Sequence, residues 1–181
     1  MASEKKMDCV ILGLLSHESL TGYEIKKRMD TTLKYFWGAS YGSIYPTLNK
    51  LEQDELVSKY ETKENGRNKI IYTITESGRD NLKQWLKVPM VKDEIRYETL
   101  LKLFFGSEIG PVETVAHIDI FENKVKAELP MLNTMVTNLE NIKDTEEAHL
   151  YYLLTAKFGV KVYEAYLEWC KEAKQILQDR E

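Results

Sequence analysis

Between residues 42 and 53 the chain carries side chains suited to reading a base sequence. At 100° per residue, Gly42, Ser43, Pro46, Asn49, Lys50 and Gln53 fall opposite Ile44, Leu48 and Leu51, with Tyr45 at the flank. The i, i+4, i+7 spacing of the aliphatic residues predicts a helix that turns them inward and the polar set outward. Asn and Gln pair bidentately with adenine, Lys reaches guanine, and Ser or Tyr hydroxyls reach phosphate. Small residues at the front let the helix-end amides approach a nucleic-acid backbone. Ser43, Tyr45, Pro46, Asn49 and Lys50 are therefore candidate contacts to double-stranded DNA. A solvated helix face also looks like this, so the neighbouring segment has to decide between the two readings.

That segment is basic. Lys63, Arg67 and Lys69 gather around Asn65-Gly66, a favoured tight-turn pair, with Glu64 the one opposing charge. Period-two alternation over 57–62 and 69–74 predicts two short strands on either side of the turn. Such a hairpin beside a polar helix can hold phosphates, and Arg67 can enter a minor groove. Arg67 and Lys69 are the candidate contacts there. Lys5 and Lys6, at the start of the first helix, read as solvated cations.

The elements that must position these residues follow from spacing and caps. Val10, Ile11, Leu14 and Leu15 predict a short helix over 7–15. Thr21-Gly22-Tyr23-Glu24 is a capping box opening a second helix that runs to about Thr32. Gly38 interrupts, and Ser40 is placed to cap the third helix, which reaches about Asp54. Thr75 caps a fourth helix over 76–86, with Leu82, Trp85 and Leu86 on one face. The order helix, helix, helix, hairpin, helix is that of a winged helix-turn-helix. The fold class expected is mainly α with a small β-hairpin.

Pro89 in Val88-Pro89-Met90 disfavours continuing the fourth helix, so domains are expected at 1–88 and 89–181. The second domain reads as all helical. Tyr97, Leu100, Leu101, Phe104 and Phe105 form one wide apolar stripe. Gly110-Pro111 opens a helix whose seam is Phe121, Val125, Leu129, Leu132, Val136 and Leu139, near coiled-coil spacing. Pro130 is expected to kink or split it. A last helix over 145–178 is apolar on more than one side and so needs more than one packing partner. That predicts a homodimer.

Composition narrows the function class. The 181 residues are 43% hydrophobic and 30% charged, with a net charge of −4. The part before Pro89 is slightly basic and the rest clearly acidic, as expected if only the first meets phosphates. No apolar run approaches the ~20 residues that span a bilayer, and the N-terminus lacks the apolar stretch of a secretory signal. A cytoplasmic protein with no membrane partner is expected. Cys9 and Cys170 read as buried free thiols in a reducing compartment. His17, His117 and His149 form no metal-ligand spacing. No nucleophile–base arrangement or phosphate loop is present, so neither an enzyme nor a cofactor is expected. The competing reading is a helical adaptor whose winged domain binds protein instead of DNA. Such domains lose charge from the third helix and the wing, whereas this one keeps Lys50, Arg67 and Lys69.

The aromatic content points to a small partner. Tyr35, Phe36 and Trp37 precede the third helix, and Tyr151, Tyr152, Tyr163, Tyr166 and Trp169 lie on the last one. Trp37, Tyr152, Tyr166 and Trp169 could line a flat slot between the two halves for a small aromatic effector. Alternatively these rings only pack the halves and the subunits together.

Over the same residues the chain resembles the PadR family of bacterial transcriptional regulators. The matching motifs are Cys9-Val10-Ile11-Leu12-Gly13-Leu14-Leu15, Thr21-Gly22-Tyr23-Glu24-Ile25, Phe36-Trp37, Gly42-Ser43-Ile44-Tyr45-Pro46-Thr47-Leu48, Leu51-Glu52 and Tyr72-Thr73-Ile74-Thr75-Glu76-Ser77-Gly78. The second half is similar to the virulence-activator-type C-terminal domain, through Leu101-Lys102-Leu103-Phe104-Phe105-Gly106 and Ala165-Tyr166-Leu167-Glu168-Trp169-Cys170. The resemblance implies a homodimer held by C-terminal helices, with two winged domains on an inverted-repeat operator. It also implies repression relieved by a small aromatic effector, and DNA contact through Tyr45 and its neighbours, Arg67 and Lys69. The wing has one basic residue fewer than some relatives, and no motif specifies an effector.

Overall fold

A computed structural model describes residues 2–37, 41–64, 67–89, 97–142 and 147–179, with the side chains at 2–5, 41, 64 and 67 outside the description. Ser40, Asn65, Gly66 and Thr145, to which the sequence assigns a cap, a turn and a helix start, lie outside the described residues. The chain divides into two units, Met1–Asp93 and Glu94–Glu181.

The first unit opens with α1 (Ala2–Leu15). Its helix begins five residues before the expected span, so the polar lead-in is helical as well. After a turn, β1 (Leu20–Thr21) leads directly into α2 (Gly22–Thr31). The capping box is complete. The Thr21 hydroxyl accepts from the Glu24 amide at 3.2 Å, and the Thr21 amide donates to the Glu24 carboxylate at 2.8 Å. The Thr21 amide, together with the Thr21 hydroxyl donating to the same carboxylate oxygen at 2.8 Å, holds the Glu24 carboxyl below the usual carboxylate range.

The third helix, α3 (Ile44–Gln53), starts later than a cap at Ser40 would place it, because Tyr41–Ser43 form a 3-10 turn. Ser43 occupies the N-cap position without capping through its side chain. The other end is closed by a left-handed residue, Glu55, at φ 58°. Leu56 N–H donates to Leu51 O at 2.8 Å and Glu55 N–H to Glu52 O at 3.0 Å, the paired bonds of a Schellman stop. Here Glu replaces the usual glycine.

Beyond that stop, β2 (Val57–Glu64) and β3 (Arg67–Ile74) form the hairpin, each two residues longer than predicted. The sheet order is β1-β3-β2, all antiparallel, with Leu20 opposite Tyr72 and Val57 opposite Ile74. Then comes α4 (Glu76–Lys87), capped by the Thr75 hydroxyl, which accepts from Gly78 N–H at 3.0 Å. Ile11, Leu12 and Leu15 of α1, Ile25 of α2, Ile44, Leu48 and Leu51 of α3, and Val57, Tyr72 and Ile74 of the sheet make one core. Leu82 packs against it, while Trp85 and Leu86 of the expected α4 face are exposed.

The second unit contains α5 (Glu98–Phe104), a 3-10 turn, α6 (Gly110–Asn141) and α7 (Glu147–Gln178). Lys174 bonds Asp119, Tyr163 bonds Glu128 and Leu132 faces Gly159, so α6 and α7 run antiparallel. Ile118, Val125 and Leu132 of α6 are buried at heptad steps, with Ala156 and Cys170 of α7. Contrary to a split at Pro130, α6 is a single 32-residue helix through it. Val125 and Leu132, buried on either side, gain more by staying in register than the missing proline N–H costs. Apolar side chains remain uncovered within this unit: Phe104 is 82% exposed, and Leu101, Leu154 and Phe158 are also exposed.

Gly78 is where the first unit is tightest. A Cβ there would lie 2.1 Å from the Leu56 carbonyl oxygen, which is backbone and cannot step aside. Gly78→Ala is expected to destabilise the first unit by ~1–3 kcal/mol, read as a lower urea midpoint with an unchanged slope. A midpoint equal to wild type would contradict the packing of α4 on the end of α3.

Candidate nucleic-acid interface

The α3 stripe turns as its spacing dictates. Ile44, Leu48 and Leu51 are 2%, 0% and 0% exposed. Gly42, Tyr45, Pro46, Asn49, Lys50 and Gln53 are exposed on the opposite side and Ser43 is half-buried. Thr47, not singled out from the sequence, is buried at the edge of the core.

Tyr45 projects from α3 with its ring over the start of α2. A Cβ on Gly22 would sit 2.7 Å from the Tyr45 Cε1 atom, so only glycine at that position lets the ring lie there. Beside Gly22, Tyr23 is 71% exposed, a residue whose local sequence marks only the capping box. The other end of α3 is tied to the sheet. The Glu52 carboxylate is 2.7 Å from Lys59 Nζ on β2, and that hydrogen bond holds the ammonium above its ordinary range. Behind it, burial pushes the Tyr72 phenol up.

Lys50 departs from expectation. Read from the sequence, it and Asn49 both point freely outward. In the fold its ammonium is 2.6 Å from the Asp8 carboxylate of α1. The Asp8 side chain is only 16% exposed, against 51% for Lys50. The signal that could have found Asp8 is an acid set between Met7 and Cys9 within an apolar helix.

On the wing, the register pairs Thr62 with Lys69, Lys63 with Asn68 and Glu64 with Arg67. Directly opposed residues share a face and faces alternate along a strand. Positions 67 and 69 therefore lie on one face of the hairpin and position 63 on the other. Lys69 is half-buried and its charge helps hold down the Glu24 carboxyl of the capping box.

The residues predicted for an effector are divided between the two units. Trp37 lies in the first unit, with the Lys6 ammonium 5.3 Å from its ring centroid. Tyr166 and Trp169 lie in the second, where Phe121 is 5.4 Å and 6.2 Å from them. Tyr97 joins this group edge-on and its hydroxyl bonds that of Tyr166. Tyr152 packs on His149 instead. It stands about 21 Å along α7 from Tyr166 at 1.5 Å per residue, so one chain does not bring the two into a single slot. Cys9 and Cys170 are buried thiols, not joined in a disulfide. Among the described residues no group of side chains could hold a metal ion, and no helix is long and apolar enough to cross a membrane.

An α2–α3 pair with a buried stripe and a polar outer face, followed by a two-stranded wing, defines a winged helix-turn-helix. Residues 11–84 match the PadR-like family of transcriptional regulators, and residues 95–178 match the virulence activator alpha C-terminal domain. The chain is 29% identical to the negative transcriptional regulator PadR of Bacillus subtilis over 139 residues, 76% of this chain and 75% of the relative. The crystal structure of Bacillus subtilis PadR in complex with operator DNA superposes with a TM-score of 0.78 at 27% identity, covering 94% of this chain and 98% of the other. That of smu.1604c from Streptococcus mutans does so at 0.80 and 30%, covering 91% and 96%. The chain belongs to the PadR-like family: it is a DNA-binding transcriptional regulator with a virulence-activator-type C-terminal domain.

The two polar residues at the centre of the outer face are expected to differ in their effect on folding. Asn49→Ala should change stability by no more than ~0.5 kcal/mol. Lys50→Ala leaves the largely covered Asp8 carboxylate without this cation and should cost about 1 kcal/mol. Equal urea midpoints for the two variants would contradict the Asp8–Lys50 pairing.

Proposed function

We propose that the chain is a repressor acting as a homodimer on an inverted-repeat operator in the cytoplasm, with the outer face of α3 in the major groove. The observation that carries this reading is the exposure of Tyr45, Pro46, Asn49 and Lys50 on a helix whose opposite stripe is sealed in the core. Asn49 has the donor and acceptor pair that reads an adenine edge. Ser43, Tyr45 and Pro46 lie toward the front of the helix, where hydroxyls and amides meet phosphate, and Arg67 and Lys69 add phosphate contacts from the wing. Repression is supported by the relative in Bacillus subtilis, which is a negative transcriptional regulator.

On this reading residues 1–88 bind DNA and 89–181 dimerise. Leu101, Phe104, Leu154 and Phe158 leave apolar surface uncovered in the second unit. A second copy of the same helices offers a self-complementary cover, at about 25 cal/mol per Å² buried. A small aromatic effector acts through Tyr166 and Trp169, whose rings stand with Phe121 in an edge-to-face group that a planar ligand can join.

Anisotropy titrations with an operator duplex and a random duplex test the assignment. Asn49→Ala should weaken operator binding by ~1–3 kcal/mol while leaving random DNA nearly unaffected. Arg67→Ala and Lys69→Ala should weaken both equally, each reducing the salt slope by ~1. Hydroxycinnamate should release the operator over the range in which it changes tryptophan fluorescence. Wild-type binding by Asn49→Ala and by both wing variants would overturn the interface. If no aromatic compound both binds and releases DNA, the effector is excluded.

A further inference from the structure

Lys50 is the cation on the outer face of α3, and its ammonium is held 2.6 Å from the Asp8 carboxylate. The two ends of the pair are not equivalent. Asp8 has a short side chain, 16% exposed, on a helix whose Met7, Ile11 and Leu12 belong to the core. Its carboxylate stays with α1. Lys50 has a four-carbon stem and is 51% exposed, so its ammonium can swing away while its backbone stays in α3. A fixed anion thus faces a movable cation, at a surface where a nucleic acid would bring other anions.

A lysine bound to a carboxylate does not neutralise a phosphate. Each phosphate contact made by a cation releases a counterion and steepens the salt dependence of binding, whatever the base sequence. An internal carboxylate that retains the cation removes one such contact from sequence-independent binding. Specificity is a difference of affinities, so weakening binding to every DNA favours sites where other residues read bases.

We propose that Asp8 is a positioning residue for DNA recognition: it holds the Lys50 ammonium against α1, competes with backbone phosphate for it, and so limits non-specific binding. This rests on the reading that the outer face of α3 meets DNA, and it adds a residue of α1, outside the helix-turn-helix and the wing, that sets how strongly the chain grips DNA of any sequence.

The test is a salt series of anisotropy titrations of the full chain on a random duplex, with wild type, Asp8→Asn, Asp8→Ser, Asp8→Glu, Lys50→Met and Asp8→Asn/Lys50→Met. In both neutral variants Lys50, no longer held by Asp8, should steepen the slope of log K against log[salt] by up to about 0.9. That equals about a 3.5-fold greater loss of affinity between about 50 and 200 mM salt. Asp8→Glu keeps the anion and should keep the wild-type slope. With Lys50 gone, Asp8→Asn should leave the slope of Lys50→Met unchanged, an outcome that a merely structural role for Asp8 does not require. Circular dichroism identifies any variant that fails to fold, and either neutral variant suffices for the comparison. Wild-type binding with unchanged slopes in the neutral variants, or equal steepening with and without Lys50, overturns the role of Asp8 alone. Failure of wild type to bind any duplex at the lowest salt overturns the DNA reading of α3, and this inference with it.

Discussion

Ile44, Leu48 and Leu51 decide which way α3 faces. Each contributes ~1.5–3 kcal/mol by leaving water, and together they outweigh every polar contact the helix makes. The surface ion pairs at Lys50 and Lys59 are solvent-screened and contribute far less. Rotating α3 by a quarter turn would expose the stripe and bury Asn49, whose amide would then need partners that the core does not offer. The outward direction of Tyr45, Pro46 and Asn49 is therefore a consequence of core packing, settled before any ligand arrives.

Close backbone approaches make that orientation sharp. Gly22 lets the Tyr45 ring lie against α2, and Gly78 lets α4 press on the Leu56 carbonyl at the end of α3. The Schellman stop at Glu55 turns the chain directly into β2, and Lys59 of β2 reaches back to Glu52 of α3. Helix and wing are thus held together by the turn between them and by an ion pair across it. Asp8 sets the position of the one lysine of α3 through the same core, since α1 and α3 pack together in it.

Features carried by neighbours in sequence were legible without the structure. The α3 stripe has seven-residue spacing, the capping box occupies four residues and the hairpin shows its period of two, so each is visible in a short window. What escaped the sequence depends on tertiary placement. The strand Leu20–Thr21 is too short to show a period and exists only because β3 pairs with it. Asp8 and Lys50 are 42 residues apart, and nothing local marks them as a pair. Pro130 carries a strong local signal for a break, which packing of Val125 and Leu132 overrides. The aromatic residues were legible as a composition but not as a site, because helix rise separates Tyr152 from Tyr166 however suggestive their types. Alternation along β2 and β3 likewise separates Lys63 from the positions of Arg67 and Lys69, although all three look like one basic cluster when read along the chain.

The proposed geometry places two copies of the outer face of α3 in the major groove of one inverted repeat. Dimethyl sulfate protection on a duplex selected by the protein from a random pool reads guanine N7, an atom of the major groove. Two protected patches are expected on one face of the DNA, about 10 base pairs or a multiple apart, with protection lost in both when Asn49 and Lys50 are replaced together. A single patch, or binding that leaves every guanine N7 reactive, would contradict it.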